Sequence, residues 1–224
     1  MIIGGFQKVS LIDYPGKISS IIFTQGCNFS CVYCHNKELI NINNSTENTY
    51  KEKEIIEFLK QRTKKIDAVV ITGGEPTLQK DLIPFMKQIK ELDFLVKLDS
   101  NGTNPDVLKE AINSKLVDYI AMDIKAPLEK YSSITKTNVD IEKIKESINL
   151  IKNSGIQHEF RTTVLKSLLT EQDILSINSL TSGANLFTLQ KYVPSKDLEK
   201  ELGVQVNYSD EDFLNFQRSF KSLK

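Results

Sequence analysis

Short apolar runs alternate along the chain with segments in which apolar residues recur every three to four positions. The run at 68–71 is apolar throughout, which is typical of a parallel strand covered on both faces. Runs of this kind predict six strands, at 18–24, 68–71, 94–98, 117–124, 156–164 and 186–192. Helical spacing predicts helices around 52–59, 82–89, 105–112, 141–151 and 171–180, and one from about 210. The alternation predicts an α/β fold with helical crossovers between parallel strands.

Six strand–helix units are fewer than the eight of a closed barrel, which typically needs about 250 residues. For a chain of 224 residues we therefore expect a partial (β/α)6 barrel with a parallel sheet, open on one side. One domain is expected to span 1–224, with an N-terminal extension at 1–17, a βα core at 18–192 and a C-terminal tail at 193–224 that contains a helix. The extension has an apolar segment at 6–12, which predicts an edge strand or a hairpin.

Local signals mark several helix boundaries. Thr49 and Glu52 have the spacing of a capping box at the start of the first helix. Asn104 and Asp140 are expected to cap two later helices, because their side chains can accept hydrogen bonds from a first helical turn. Gly155 is expected to end the helix that Asp140 begins.

Composition and charge are those of an ordinary globular protein. The chain is 40% hydrophobic and 26% charged, and its 29 Lys and Arg residues balance its 29 Asp and Glu residues. Because no net charge attracts a polyanion, neither nucleic acid nor a membrane is expected as a partner. No apolar run approaches the length of a membrane span, and the N-terminus lacks the layout of a signal peptide. Together with the odd cysteine count, these features favour a cytoplasmic protein.

All three cysteines of the chain fall in one short segment, at Cys27, Cys31 and Cys34. Soft thiolate ligands at this spacing indicate a metal centre. Iron–sulfur cubanes usually have four cysteine ligands, so three would leave one iron open to a substrate or cofactor. The alternative is a structural zinc site with His35 as the fourth ligand, although adjacent side chains such as Cys34 and His35 converge poorly on one ion.

Polar residues and glycines follow the predicted strands at the point where each strand ends. In parallel α/β folds, ligands bind at the carboxyl ends of the strands. The residues at these ends are Gly73, Gly74, Glu75, Asp99, Ser100, Asn101, Asp123, Lys125, Arg161, Gln190 and Tyr192. They are therefore expected to share one edge of the sheet with the cysteine segment.

The cysteine spacing, with an aromatic residue before the last cysteine, and the Gly-Gly-Glu-Pro sequence at 73–76 resemble the radical S-adenosylmethionine (radical SAM) superfamily. The segments at 5–17, 159–164 and 189–192 are similar to one subgroup, the activating proteins of anaerobic ribonucleoside-triphosphate reductase, which are relatives of pyruvate formate-lyase activating enzyme. The resemblance covers nearly the whole chain. It implies a [4Fe–4S] cluster, S-adenosylmethionine at the open iron, and a 5′-deoxyadenosyl radical that activates a glycyl radical enzyme. It also implies flavodoxin or ferredoxin as the electron donor.

The same resemblance implies which residues hold these groups. The cluster ligands are Cys27, Cys31 and Cys34. The residues that it places at the cofactor are Tyr33, Gly73, Gly74, Glu75, Ser100, Asn101, Asp123 and Arg161. The relationship to pyruvate formate-lyase activating enzyme adds a monovalent cation between Asp99 and Asp123, whose charges would otherwise repel one another. No catalytic residue is implied beyond the cluster and the cofactor.

Each of these residues also has a purely structural alternative. Asp123 could pair with Lys125, and Arg161 could pair with Glu159, because residues two apart on a strand share a face. The two glycines could form an ordinary turn, Asn101 could be a turn former, and the aromatic residue before the last cysteine could belong to the core alone.

Two other functions stay open at this point. The same cofactor chemistry could act on a small molecule or a peptide, for example in deazapurine or peptide modification. A metal-binding interaction module without catalysis is the second alternative. The open barrel favours a large substrate, because a protein loop must reach the cofactor from the side.

Overall fold

The computed structural model describes residues 1–42, 50–193 and 207–222. The strands are β1 (Ile3–Ser10), β2 (Ser19–Thr24), β3 (Ala68–Gly73), β4 (Leu95–Ser100), β5 (Tyr119–Asp123), β6 (Gln157–Val164) and β7 (Leu186–Lys191). The helices are α1 (Glu52–Lys60), α2 (Leu82–Lys90), α3 (Pro105–Asn113), α4 (Tyr131–Thr135), α5 (Ile141–Lys152), α6 (Glu171–Leu180) and α7 (Asp210–Ser222). Short 3-10 turns lie at Lys37–Leu39, Pro76–Leu78 and Leu128–Lys130. Within the described ranges, no helix is both long and apolar enough to cross a bilayer.

The strands form a single sheet in the order β1 to β7. Strand β1 runs antiparallel to β2, and each later neighbour pair is parallel. The two outermost strands, β1 and β7, do not pair with each other, so the sheet is open. The prediction of a partial, open barrel with a parallel sheet and helical crossovers is therefore confirmed. The N-terminal segment forms the edge strand, three residues earlier than the apolar pattern indicates.

The two faces of the sheet differ in chemistry, because side chains alternate along each strand. One face packs against the helices in the main core, to which successive strands contribute Ile22, Ile71, Leu98, Met122 and Phe160. The opposite face has a smaller apolar cluster that contains Tyr14, Ile21, Val70, Tyr119 and Ala121. Other positions on that face of β4 and β6 are charged, at Lys97, Asp99, Glu159 and Arg161. Two of these residues, Asp99 and Arg161, lie near the carboxyl ends of their strands, where the candidate site is found.

The helix boundaries follow the local signals in part. Asp140 caps α5 by accepting a 3.1 Å hydrogen bond from a first-turn N–H, and the chain turns at Gly155 with φ +75°, so both predictions are confirmed. Asn104 precedes α3 but its side chain does not cap the helix. Its amide donates instead to the Thr77 hydroxyl at 3.0 Å, so this prediction is wrong because a tertiary acceptor takes the side chain. Thr49, of the proposed capping box, lies outside the described residues.

The five-residue helix α4 is not predicted by the sequence pattern. It is too short for helical spacing to be visible, and its stability comes from tertiary contacts. Tyr131 is fully buried, and its hydroxyl accepts a 3.2 Å hydrogen bond from the Lys125 N–H after β5. Helix α4 thereby packs beside the carboxyl ends of the strands, next to the cysteine segment.

Candidate functional site

A cavity at the carboxyl ends of the parallel strands collects nearly all the residues that the sequence singles out. The predicted site residues that line it are Cys27, Cys31, Tyr33, Cys34, Gly73, Gly74, Glu75, Asp99, Ser100, Asn101 and Asp123. Arg161 does not line the cavity but bonds to two carboxylates that do. The cavity wall also includes Phe29, Thr72, Lys125, Thr163 and Gln190. Thr163 was missed by sequence reasoning, although its position two residues after Arg161 on β6 places both on one face.

Backbone hydrogen bonds hold the cysteine loop, which we define as residues 25–42. At its base, the Cys27 N–H donates to the Ile40 carbonyl at 3.0 Å. Across the loop, the Ser30 N–H donates to the Thr135 carbonyl at 2.9 Å, at the end of α4. Main-chain groups carry these contacts, and the three cysteine side chains of the loop face the cavity.

The donor set of this loop fits a group with three thiolate ligands, since Cys27, Cys31 and Cys34 all line the same cavity. Burial raises the pKa of Cys27 to about 12 and also raises that of Cys31, so these thiols are protonated without a metal. A bound cation removes the thiol proton, as metal coordination does in general. In the described part of the chain, no three His, Cys, Asp or Glu side chains are close enough together to hold a single metal ion. The ligands of a cubane instead bind different irons and surround a larger body.

His35 lines the same cavity as the cysteines and contacts the end of β7. Its Nε2 lies 2.9 Å from the Val193 carbonyl oxygen, and its ring stacks on Tyr192 with centroids 4.9 Å apart. This contact ties the end of the cysteine loop to the end of β7. The zinc alternative is disfavoured because the described residues include no group of three His, Cys, Asp or Glu side chains arranged to hold one metal ion.

Glu75 is fully buried and its carboxylate is surrounded by donors from the protein itself. Oε1 accepts from the Thr77 N–H at 3.1 Å, the Thr77 hydroxyl at 2.5 Å and the Ser100 hydroxyl at 2.9 Å. Oε2 accepts from the Asn101 N–H at 2.6 Å. Burial raises the pKa of Glu75, and these hydrogen bonds oppose that shift. The carboxylate thus joins the end of β3 to the end of β4, a role that the residue type alone does not reveal.

The two glycines before Glu75 are required by the protein's own packing. A Cβ at Gly73, where φ is +119°, would overlap the backbone N and O of Thr24. A Cβ at Gly74 would overlap the carbonyl oxygen of Gly26, at the base of the cysteine loop. We expected glycine here to admit a ligand. The structure shows that it admits the neighbouring backbone, which brings the β3 end directly against the cysteine loop.

A guanidinium lies between the two carboxylates for which the sequence analysis expected a cation. Arg161 Nε donates to Asp123 Oδ1 at 2.8 Å, and Nη1 and Nη2 each donate to Asp99 Oδ2 at 3.1 Å. Glu159, the alternative partner, is 4.0 Å from Arg161 Nη1. The arginine offsets the repulsion between Asp99 and Asp123, and the monovalent cation stays a prediction.

Asp123 also pairs with Lys125, whose Nζ lies 3.0 Å from Oδ2. Burial alone would raise the pKa of Asp123, but the Arg161 and Lys125 charges outweigh it and hold that pKa well below its usual value. Burial would likewise lower the pKa of Lys125, yet Asp123 raises it well above normal. These groups are therefore ionised at neutral pH. The ion pair that sequence reasoning offered as an alternative is present together with the arginine contact.

Asn101 has the local contacts of a turn former. Its Oδ1 accepts from the Thr103 N–H at 3.1 Å, and its Nδ2 donates to Asn28 Oδ1 at 2.8 Å, which links the turn to the cysteine loop. Two buried polar atoms at the cavity lack a hydrogen-bond partner among the described residues, the Tyr33 hydroxyl and Asp99 Oδ1. Unpaired buried polar atoms are costly, so these two fit a ligand that brings its own polar groups.

Comparisons with known proteins agree with this geometry. Residues 21–177 match the model of the Radical SAM superfamily. A candidate glycyl-radical enzyme activating enzyme of Methanocaldococcus jannaschii is 38% identical over 205 residues, which cover 89% of this chain and 83% of the relative. The pyruvate formate-lyase-activating enzyme of Clostridium pasteurianum is 28% identical over 178 residues, 76% of this chain and 71% of the relative.

A solved structure supports the fold by shape alone. SuiB of Streptococcus suis, determined with bound S-adenosylmethionine, superimposes with a TM-score of 0.71 at 15% identity. The match covers 91% of this chain and 46% of that one. The family model covers well over half of the sequence, and the open parallel sheet agrees with it. The chain therefore belongs to the radical SAM superfamily.

Proposed function

We propose that this protein binds a [4Fe–4S] cluster through Cys27, Cys31 and Cys34, cleaves S-adenosylmethionine reductively, and installs a glycyl radical on a partner protein. The observation that carries the proposal is one cavity, at the carboxyl ends of the strands, lined by all three thiols and by the ends of β3, β4 and β5. When bound, the cluster would supply the electron that cleaves the sulfonium and yields 5′-deoxyadenosine by way of its radical.

The residues of the chain have complementary tasks in this proposal. Asp99 Oδ1 is buried and has no hydrogen-bond partner among the described residues, although Lys97 Nζ lies 3.7 Å away, and it is suited to accept from the ammonium of the cofactor. Tyr33 is buried beside the cysteines and offers a free hydroxyl. Glu75, Ser100 and Asn101 position the strand ends through the hydrogen bonds described above. Arg161 holds Asp99 and Asp123 in their places.

The partner that we favour is an anaerobic ribonucleoside-triphosphate reductase. The relative that is 38% identical carries the name of a glycyl-radical enzyme activating enzyme, and the one that is 28% identical acts on pyruvate formate-lyase by name. The segments at 5–17, 159–164 and 189–192 support the reductase over other glycyl radical enzymes. A flavodoxin or ferredoxin is the proposed electron donor, because the reduction needs a potential near the negative end of the iron–sulfur range, which extends to about −700 mV.

The test is carried out under strict exclusion of oxygen. The protein is reconstituted with iron and sulfide, reduced, and supplied with S-adenosylmethionine and the anaerobic reductase encoded in the same genome. We expect 5′-deoxyadenosine in the solution and a glycyl radical signal on the reductase by electron spin resonance. Production of 5′-deoxyadenosine without a radical on any glycyl radical enzyme would favour a small-molecule or peptide substrate. Retention of zinc with no cubane absorption would favour the metal-binding module and overturn the proposal.

A further inference from the structure

Two uncharged polar side chains line the cavity and make no hydrogen bond within the described residues. They are Thr163 on β6 and Gln190 on β7. The two residues are register partners in the parallel β6–β7 pair, so their side chains share a face. Thr163 is half-buried and Gln190 is exposed.

Their position relative to the charged groups is set by the sheet register. Asp123 pairs in register with Arg161, and Thr163 lies two residues further towards the carboxyl end of β6 on the same face. The paired charges thus lie deeper along the strands, and Thr163 and Gln190 form the rim. Strand β7 is the last strand of the described sheet, so this rim faces the open side of the barrel.

From this arrangement we propose that Thr163 and Gln190 hydrogen-bond to the main chain of the partner segment that carries the target glycine. This inference rests on the proposed function and names how that same site recognises its protein substrate. A peptide group presents one N–H donor and one carbonyl acceptor. A glutamine amide offers two donors and an acceptor, and a threonine hydroxyl offers both roles, so the pair can satisfy a peptide group in full.

The charges of the cavity wall favour a peptide over an anionic small molecule. A phosphate or carboxylate substrate needs a cation that is not already neutralised. Among the described wall residues, the Lys125 ammonium is paired with Asp123, and the nearby Arg161 guanidinium is shared by Asp99 and Asp123. The free hydrogen-bonding groups at the rim are neutral, as peptide groups require.

The first experiment uses the reconstituted holoenzyme and the anaerobic reductase as substrate. Isosteric changes, Thr163→Val with Gln190→Leu, remove both polar groups and retain the side-chain volume. We expect the KM for the reductase to rise roughly tenfold, because two hydrogen bonds are lost. Thr163→Ser, which keeps the hydroxyl, is expected to retain the wild-type KM. The Kd of S-adenosylmethionine is measured in the same samples, and a comparable loss there would assign both residues to the cofactor and overturn the inference.

The second experiment locates the partner segment directly. A photoreactive benzoylphenylalanine replaces Gln190, and a control carries it at Leu186, which is 49% exposed at the other end of β7. We expect position 190 to cross-link to the glycine segment of the reductase and position 186 not to do so. If the wild-type enzyme forms the glycyl radical but position 190 cross-links elsewhere or not at all, the inference fails and the proposed function stands. If the wild-type enzyme releases 5′-deoxyadenosine and forms no glycyl radical, both fail.

Discussion

The two walls of the cavity are built by different means. The cysteine loop, residues 25–42, is held mainly by its backbone, through hydrogen bonds such as Ser30 N–H to the Thr135 carbonyl at 2.9 Å. The strand ends are held by side chains, since Glu75 accepts four hydrogen bonds and Arg161 joins Asp99 to Asp123. The loop wall therefore presents three thiols to the cavity, whereas a charged side chain on the strand wall is mostly occupied by its neighbours.

This difference decides how far a residue's chemistry can be inferred from its type. On the loop wall, the three cysteines that are close in sequence also line one cavity. On the strand wall, a buried glutamate that looks like a ligand already has four protein donors. The two aspartates between which a cation was predicted are both hydrogen-bonded to one arginine. Substitutions on the two walls should therefore have different effects. On the loop wall we expect a loss of cluster incorporation, and on the strand wall a loss of stability.

The largest effect is expected from Cys31→Ser, which should abolish iron and sulfide incorporation while the apo fold persists. Because the loop is held by its backbone, we expect the apo protein to lose less than about 2 kcal/mol of unfolding free energy. Iron and sulfide analysis and thermal unfolding of the apo protein measure the two quantities. Ser30→Ala, in the same loop, is the matched control and should incorporate the cluster. Full iron content in Cys31→Ser would contradict the assignment of this thiol.

Gly74→Ala should disrupt the junction of the two walls. The added Cβ would overlap the Gly26 carbonyl, so we expect a loss of more than about 4 kcal/mol in denaturant unfolding. Gly74 does not have a positive φ, so Gly155→Ala, with φ +75° and no atom within 4 Å of the new Cβ, serves as a comparison for backbone strain without overlap. Strain alone should cost about 1–2 kcal/mol there. Equal losses in the two variants would show that the loop does not press against β3.

Asp123→Asn removes the shared partner of Arg161 and Lys125. Breaking this half-buried ion pair from one side leaves the Lys125 charge uncompensated, so we expect a loss of about 2 kcal/mol at neutral pH, less than for a fully buried pair. The folded pKa of Asp123 lies below its unfolded value of about 4, so its stabilisation is present above that pH and is lost as the pH falls through the folded pKa. The difference between wild type and variant should therefore shrink below pH ~4.

Urea unfolding between neutral pH and pH ~3 tests this prediction, with the exposed Asp106→Asn as the control for general acid sensitivity. A difference between wild type and Asp123→Asn that stays constant over this range would mean that the ion pairs do not stabilise the fold.

Glu75→Gln tests whether the strand wall is positioned by its side chains. Two of the four donors are backbone N–H groups, which cannot reverse to meet an amide NH2, so we expect a loss of about 2 kcal/mol in the apo protein. Glu91→Gln on the surface is the control and should cost little. If the apo protein keeps its stability and only its affinity for S-adenosylmethionine falls, Glu75 is a ligand rather than a structural residue.

Tyr131→Phe should have the smallest effect. It leaves the Lys125 N–H without its acceptor, which we expect to cost about 1 kcal/mol and to speed exchange of that amide hydrogen. Tyr50→Phe, at a ring that is 41% exposed, is the control. Unchanged exchange at Lys125 would show that α4 does not brace the end of β5.

The alternation of apolar runs and amphipathic segments was sufficient to predict six parallel strands and the helices between them, because local spacing reports burial directly. Helix α4 was not predicted, because five residues are too few to show the helical spacing of apolar positions. Its position depends instead on the contact between Tyr131 and Lys125. The Asn104 cap was mispredicted for a related reason, because the Asn104 side chain hydrogen-bonds to Thr77, which is distant in sequence, instead of to the first turn of α3.

The sequence by itself determined that three thiols lie in one short segment, and it predicted the edge of the sheet at which they lie. Three thiols in one short segment and polar residues at strand ends are local facts, and parallel strands bring their ends together. Only the tertiary structure decided which charged groups neutralise one another. Arg161 meets Asp123 and Asp99 across 38 and 62 residues of sequence, and such pairings depend on strand register rather than on any local pattern.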